Sequence, residues 1–213
     1  MGRAEDLFLR IKHRGADEIS RMIREQIVEE LFLDYKRAAT VAPFGKLDSS
    51  DRKNLSKAIA GFANSEGGII VWGVDCRQNP PYGDVPTSPV PISNPTAFKS
   101  LLEGAVTGVT IPAHSGVENI ALQIIGQSDG FVVTYIPVGM HVPYRTLGDR
   151  EEYYIRAGSN FYPTPHAVLA GLFGRAPHPE LNIIVQFLRA DGTHTPNRSN
   201  CSAPLLMLSL IHI

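Results

Sequence analysis

The sequence predicts an α+β fold: a mixed β-sheet flanked by helices, with an N-terminal helical segment and a truncated C-terminal extension. Three observations predict it. Apolar residues recur at helical spacing in several stretches. Short alternating or wholly apolar runs separate those stretches. Helices and strands do not follow the strict strand–helix–strand rhythm of a purely parallel sheet. The 213 residues suffice for the core of one ordinary domain, and 43% hydrophobic against 19% charged residues excludes an intrinsically disordered chain.

The elements follow in order. Residues 4–12 and 16–28 read as helices, the second with Ile19, Met22, Ile23 and Ile27 at helical spacing. In "EELFLDYKRA", Leu31, Leu33 and Tyr35 alternate with Phe32, Asp34 and Lys36, as in a strand with one apolar face. Pro43 and Gly45 interrupt the pattern. Ser49 or Ser50 then caps a helix over 51–65, whose stripe is Leu55, Ala58, Ile59 and Phe62. "GGIIVWGVD" reads as a buried strand. The six prolines from Cys76 to Pro95 point to an exposed loop. Asn94 caps a helix starting near Pro95, with Phe98, Leu101, Leu102 and Ala105 inward. "NIALQIIGQ" and "GFVVTYIPVG" read as two strands turning at Ser-Asp-Gly, "REEYYIRAGSNFYP" as another strand, and residues 166–174 as a short closing helix.

The expected division is a helical leader over 1–24, a main domain over 25–176 and a linker or further region over 177–207. The closing "LSLIHI", residues 208–213, resembles a translated sequencing adaptor, a scar outside fold reasoning. No apolar run has the length of a membrane helix. Cys76 and Cys201 supply neither a disulfide framework nor a metal-ligand spacing, which predicts a reducing, cytoplasmic setting. The seven histidines lack zinc-ligand spacing, and no Gly-x-Ser-x-Gly elbow is present.

A formal net charge of −1 argues against wholesale coating of nucleic acid. Residues 1–57 nevertheless hold 12 of the 20 Lys and Arg against 10 of the 21 Asp and Glu, so a polyanion site should lie in this first third. The turn "NSEGG" has two readings. Asn64, Gly67 and Gly68 can end a helix and let the chain enter a strand tightly. Alternatively, small residues leave main-chain N–H groups open to a phosphate. Neither a dinucleotide fingerprint nor a P-loop lysine accompanies the glycines, so a nucleotide cofactor has no support.

Asp34 and Lys36 share one strand face, either as an ion pair or as parts of a site with Glu29 and Asp75. Arg156 offers a fork suited to phosphate, or a partner for Glu151, Glu152 or a core acid; Gly158 and Ser159 add donors beside it. Arg37, Lys46, Arg52 and Lys53 could extend a polyanion surface, or form a solvated helix face. Tyr153 and Tyr154 point to opposite strand faces, so one could stack on a base.

Three motifs in order carry a resemblance: Glu29 with Asp34-Tyr35-Lys36; Gly61-Phe62-Ala63-Asn64, Gly67-Gly68 and Gly73-Val74-Asp75; and Tyr154-Ile155-Arg156-Ala157-Gly158-Ser159. Over about residues 20–175 the chain resembles the Schlafen AlbA-like domain family. The resemblance implies a nucleic-acid-binding module for DNA or RNA, at the N-terminus of a transcriptional regulator. Lys36, Arg37, Asn64, Gly67, Gly68, Arg156 and Ser159 would then be the binding residues. It also implies an alternative, a metal-dependent endoribonuclease holding Mg or Mn on Glu29, Asp34 and Asp75. Asp34 stands where the family usually has Glu, and Cys76 where an Asp often follows. A third reading is a nucleotide-responsive or homo-oligomerising scaffold that uses its N-terminal helices as the partner surface.

Overall fold

Alternation along two neighbouring strands sets the architecture of this computed structural model. It describes residues 2–78, 84–148 and 150–174, and the backbone at 185–188 and 205–208. In chain order the elements begin with α1 (Arg3–Arg14), α2 (Ala16–Arg24), β1 (Leu33–Lys36), α3 (Ser49–Ala63) and β2 (Gly68–Trp72). Next come β3 (Val74–Gln78), β4 (Asp84–Pro89), α4 (Pro95–Val106), β5 (Thr110–Ile111) and β6 (Glu118–Gln123). β7 (Gly130–Ile136), β8 (Arg145–Thr146), β9 (Tyr154–Ala157), β10 (Asn160–Pro163) and α5 (His166–Phe173) follow. Met1–Arg175 is one unit; Ala176–Ile213 is a second, in which β11 (Val185–Leu188) pairs antiparallel with β12 (Leu205–Leu208). Apart from those two strands, the linker and scar expected over 177–213 lie outside the described residues.

The main sheet has the order β1-β2-β7-β6, with β1 parallel to β2 and the other pairs antiparallel, a mixed sheet as predicted. Leu33, Tyr35, Ile69, Val71, Phe131 and Val133 face one side, where they pack against Leu7, Phe8, Ile11, Ile19 and Met22 of α1 and α2. Ile70, Trp72, Val132 and Ile136 face the other, against Leu55, Ile59 and Phe62 of α3 and Phe98 and Leu102 of α4. Adjacent residues of one strand thus serve opposite cores, which is why β2 reads as continuously apolar. The helices expected as a leader over 1–24 bury their apolar faces in this unit.

Several boundaries differ from expectation for identifiable reasons. α2 stops at Arg24 rather than 28, because Gln26 takes a positive φ of 52° and the Ile27 N–H returns to the Met22 carbonyl. Asp48, not Ser49 or Ser50, caps α3 by accepting the Ser50 N–H at 2.8 Å. Gly73, at φ 98°, breaks "GGIIVWGVD" into β2 and β3. Much of the described proline-rich span is paired rather than looped: β3 pairs with β4 although β4 contains Pro86 and Pro89. A two-stranded ribbon leaves one side of each strand without a ladder partner, where a missing N–H is tolerated, and a bulge at Asp75/Cys76 absorbs the irregularity. The β6–β7 connection turns on Gly126, at φ 77°, while Gly130 of the expected Ser-Asp-Gly turn opens β7. "YYIRAGSNFYP" is itself a hairpin, β9–β10, turning at Gly158 and Ser159.

Among the described residues, no helix is long and apolar enough to cross a membrane.

Candidate functional site

β9 presents Arg156 to the face of β1 that carries Asp34. The guanidinium is enclosed, with 1% of its side chain exposed. Nη1 donates to Asp34 Oδ1 at 3.0 Å, Nη2 to the carbonyls of Leu33 (2.8 Å) and Glu30 (3.1 Å), and Nε to that of Glu30 (3.3 Å). Its plane lies 4.4 Å from the Phe161 ring centroid and 5.4 Å from that of Phe62. Glu29 Oε2 is 3.7 Å from Nη2, and its Oε1 accepts the Tyr35 N–H at 2.9 Å. Lys36 Nζ, partly exposed, sits 2.6 Å from Asp34 Oδ2. The network ties β9 to β1 across 122 residues of chain.

Burial, reinforced by the Asp34 carboxylate, pushes Glu29 from its ordinary 4.5 up to about 7. The folded carboxyl keeps a proton that the unfolded one has lost. Its stabilisation is therefore complete below about 4.5 and disappears as pH rises to about 7. Glu29→Gln, which retains the acceptor for Tyr35, should flatten that fall, on the order of 1–3 kcal/mol. Urea midpoints across this pH range test it; a slope identical to that of the parent would remove Glu29 as its source.

The expected binding residues separate into two groups. Arg156 is a correction: its donors face acids and carbonyls inside the protein, so no fork is left for a phosphate. Asn64 is a second. Its amide donates to the carbonyls of Tyr144 (2.8 Å) and Tyr154 (2.9 Å) while Oδ1 accepts the Tyr144 N–H (2.7 Å). Gly67 and Gly68 are the third. Gly67 has φ 78°, its N–H bonds the Phe62 carbonyl, and a Cβ there would lie 2.9 Å from the Ile136 carbonyl. A Cβ at Gly68 would lie 2.2 Å from the Phe62 ring. The turn therefore terminates a helix and packs closely, leaving no Gly67 N–H for an anion. Lys36 and Ser159 line a polar cleft of about 140 Å³ whose lining also includes three acids, Glu29, Asp34 and Asp84, with Asn54, Lys57 and Arg156 itself. Arg37 is exposed and lies outside that lining.

The acidic trio is not assembled. Glu29 and Asp34 meet, but Asp75 does not join the lining; its carbonyl accepts the Thr87 hydroxyl. Among the described residues, no three His, Cys, Asp or Glu side chains form a group able to hold a metal. Asp34 is engaged by Arg156 and Lys36 instead, so the donors present do not fit a divalent ion.

A second cleft, about 200 Å³, lies beside the first and shares Lys57 with it. One face of α3 lines it with Ser49, Arg52, Lys53, Ser56 and Lys57; Thr146, Leu147, Gly148, Arg150 and Tyr154 complete the lining. None of Arg52, Lys53, Lys57 and Arg150 forms an ion pair among the described residues. Arg52 donates to the Gly108 carbonyl, and Lys57 Nζ lies 5.0 Å from the Tyr154 ring centroid. Burial, then the charge of Lys36, lowers the pKa of Lys57. The sequence does carry a signal for this face: positions 49, 52, 53, 56 and 57 follow the same 3.6-residue period as the apolar stripe opposite. Arg150 has no such signal, since the fold alone brings it opposite α3.

Residues 29–165 match the family model described as Schlafen, AlbA_2. No curated protein matches the chain. Among solved structures, the chain is similar to the DIP2311 protein from Corynebacterium diphtheriae, at 15% identity and a TM-score of 0.43, over 74% of this chain and 26% of that one. It is also similar to the N-terminal domain of a RecG-related protein from Nitrosomonas europaea, at 22% identity and a TM-score of 0.46, over 71% of this chain and 94% of that one. The chain thus spans about a quarter of the length of the C. diphtheriae protein.

Proposed function

The chain belongs to the Schlafen, AlbA_2 family, and on that premise we propose that it binds nucleic acid, DNA or RNA, as the N-terminal module of a transcriptional regulator. One observation carries the reading: four cations without acidic partners among the described residues converge on one cleft, which adjoins a polar cleft containing Lys36, Asn54 and Ser159. Unpaired Lys and Arg side chains near a surface are strongly hydrated and mutually repulsive. A phosphate chain along them relieves the repulsion and releases condensed counterions. The binding residues of this reading are Arg52, Lys53, Lys57, Arg150, Lys36 and Ser159; the buried Arg156, Asn64, Gly67 and Gly68 hold the frame.

Fluorescence anisotropy with labelled DNA and RNA tests it across about 50–200 mM salt. Affinity should fall steeply with salt. Removing Lys53 and Lys57 together by alanine should weaken binding at low salt and lower the log–log slope by about 1.5–2, close to one for each phosphate no longer neutralised. No retention of either polymer at low salt would end the reading.

A further inference from the structure

The geometry points to a single-nucleotide subsite in the α3 cleft, and we propose that it takes one unpaired nucleotide of a single-stranded nucleic acid. The inference rests on the nucleic-acid reading and deepens it. A duplex offers phosphates but keeps its bases stacked inside, so it needs a basic surface and no hole. This cleft is a hole as well as a basic surface. Its cations, Arg52, Lys53, Lys57 and Arg150, share the lining with Leu147 and the ring of Tyr154. At about 200 Å³ it is smaller than the roughly 300–1,000 Å³ typical of drug-sized ligand sites, room for a single base with its sugar and phosphate at the open rim.

The lining has the two chemistries that a single unstacked nucleotide presents. Cationic donors suit its phosphate, and the apolar surface of Leu147 and Tyr154 suits its base. Tyr154 keeps its ring in place by donating its hydroxyl to Glu152, and burial pushes that phenol up to about 12, so it stays neutral. Asn64 anchors the carbonyl of the same residue at 2.9 Å. The aromatic wall is thus fixed before any ligand arrives, which limits the ordering cost of binding.

The test compares labelled oligothymidylate and oligouridylate of about 12 nucleotides, within the usual site sizes for single strands, with a duplex of the same length. The single strands are expected to bind about tenfold more tightly than the duplex. Leu147→Trp keeps all four cations and fills the cleft, and should reduce that preference to near parity. Lys53→Ala should weaken both polymers alike. If Leu147→Trp fails to give a cooperative thermal melt, Ser49→Trp at the exposed rim is measured instead, with the same expectation. Equal affinity for single strand and duplex, unchanged by filling the cleft, would overturn the subsite while leaving nucleic-acid binding intact. Failure to bind either polymer would overturn both.

Discussion

Replacing Arg156 by alanine is expected to destabilise the folded domain by about 3–5 kcal/mol, the usual consequence of removing one partner from a buried ion pair. The guanidinium bonds Asp34 Oδ1, lies beside Glu29, bonds the carbonyls of Glu30 and Leu33, and has the Phe62 and Phe161 rings packed against it. Alanine leaves two carboxyl groups and two main-chain acceptors without the donors that the guanidinium gave them. Lysine is a poor rescue, because a single ammonium cannot reproduce donors pointing in three directions. With total stabilities of about 5–15 kcal/mol, the variant approaches the threshold of folding at ordinary temperature. Urea denaturation gives the free energy, and the melting temperature should fall by on the order of 10 °C. If Arg156→Ala melts within about 1 kcal/mol of the parent yet loses nucleic-acid binding, the residue touches the ligand rather than stapling two strands together.

The difference between Arg156 as expected and Arg156 as folded indicates what a sequence of this kind can disclose. Local periodicity was enough to reveal a buried strand at β2, the α3 stripe, the Asn94 cap and the hairpin of β6 and β7, because each depends on residues within one or two turns of chain. It also placed Asp34 and Lys36 on one face. What lies opposite that face was not legible, since Arg156 comes from 122 residues downstream and only the fold brings it there. Asp51 teaches the same lesson. In the first turn of α3 it is fully buried and accepts the N–H groups of Ala39 and Thr40 and the Thr40 hydroxyl, partners that only the fold brings to it. Prolines misled for a different reason. They forbid a central strand, but a two-stranded ribbon has unpaired edges, and β4 occupies one. The cationic cleft was half legible: α3 supplies its first wall at helical spacing, while the rest of the lining, from Thr146, Leu147, Gly148, Arg150 and Tyr154, is brought there by the fold alone.

The Asn64 amide ties Tyr144 and Tyr154, on either side of residues 146–148 of that lining, to the end of α3, and Asn64→Ala should show it. In the parent, the Asn64 side chain satisfies the Tyr144 N–H and two carbonyls, those of Tyr144 and Tyr154, all out of reach of water. Alanine leaves three buried main-chain groups unpaired, for an expected loss of about 3 kcal/mol. Asn64→Asp should be worse at neutral pH, because it keeps the acceptor and turns a double donor into a carboxylate facing two carbonyl oxygens. Burial and those oxygens raise the folded-state pKa of such a group. Its stability is therefore greatest below the ordinary carboxyl range and is lost as pH rises through the raised value, so the aspartate variant should lie closest to the parent in mild acid. Hydrogen exchange separates a local effect from a global one. Faster exchange confined to residues 144–154 in Asn64→Ala would locate the loosened wall beside Leu147 and Arg150. Uniform acceleration throughout the domain would instead mean that Asn64 supports the entire fold and has no special tie to the cleft.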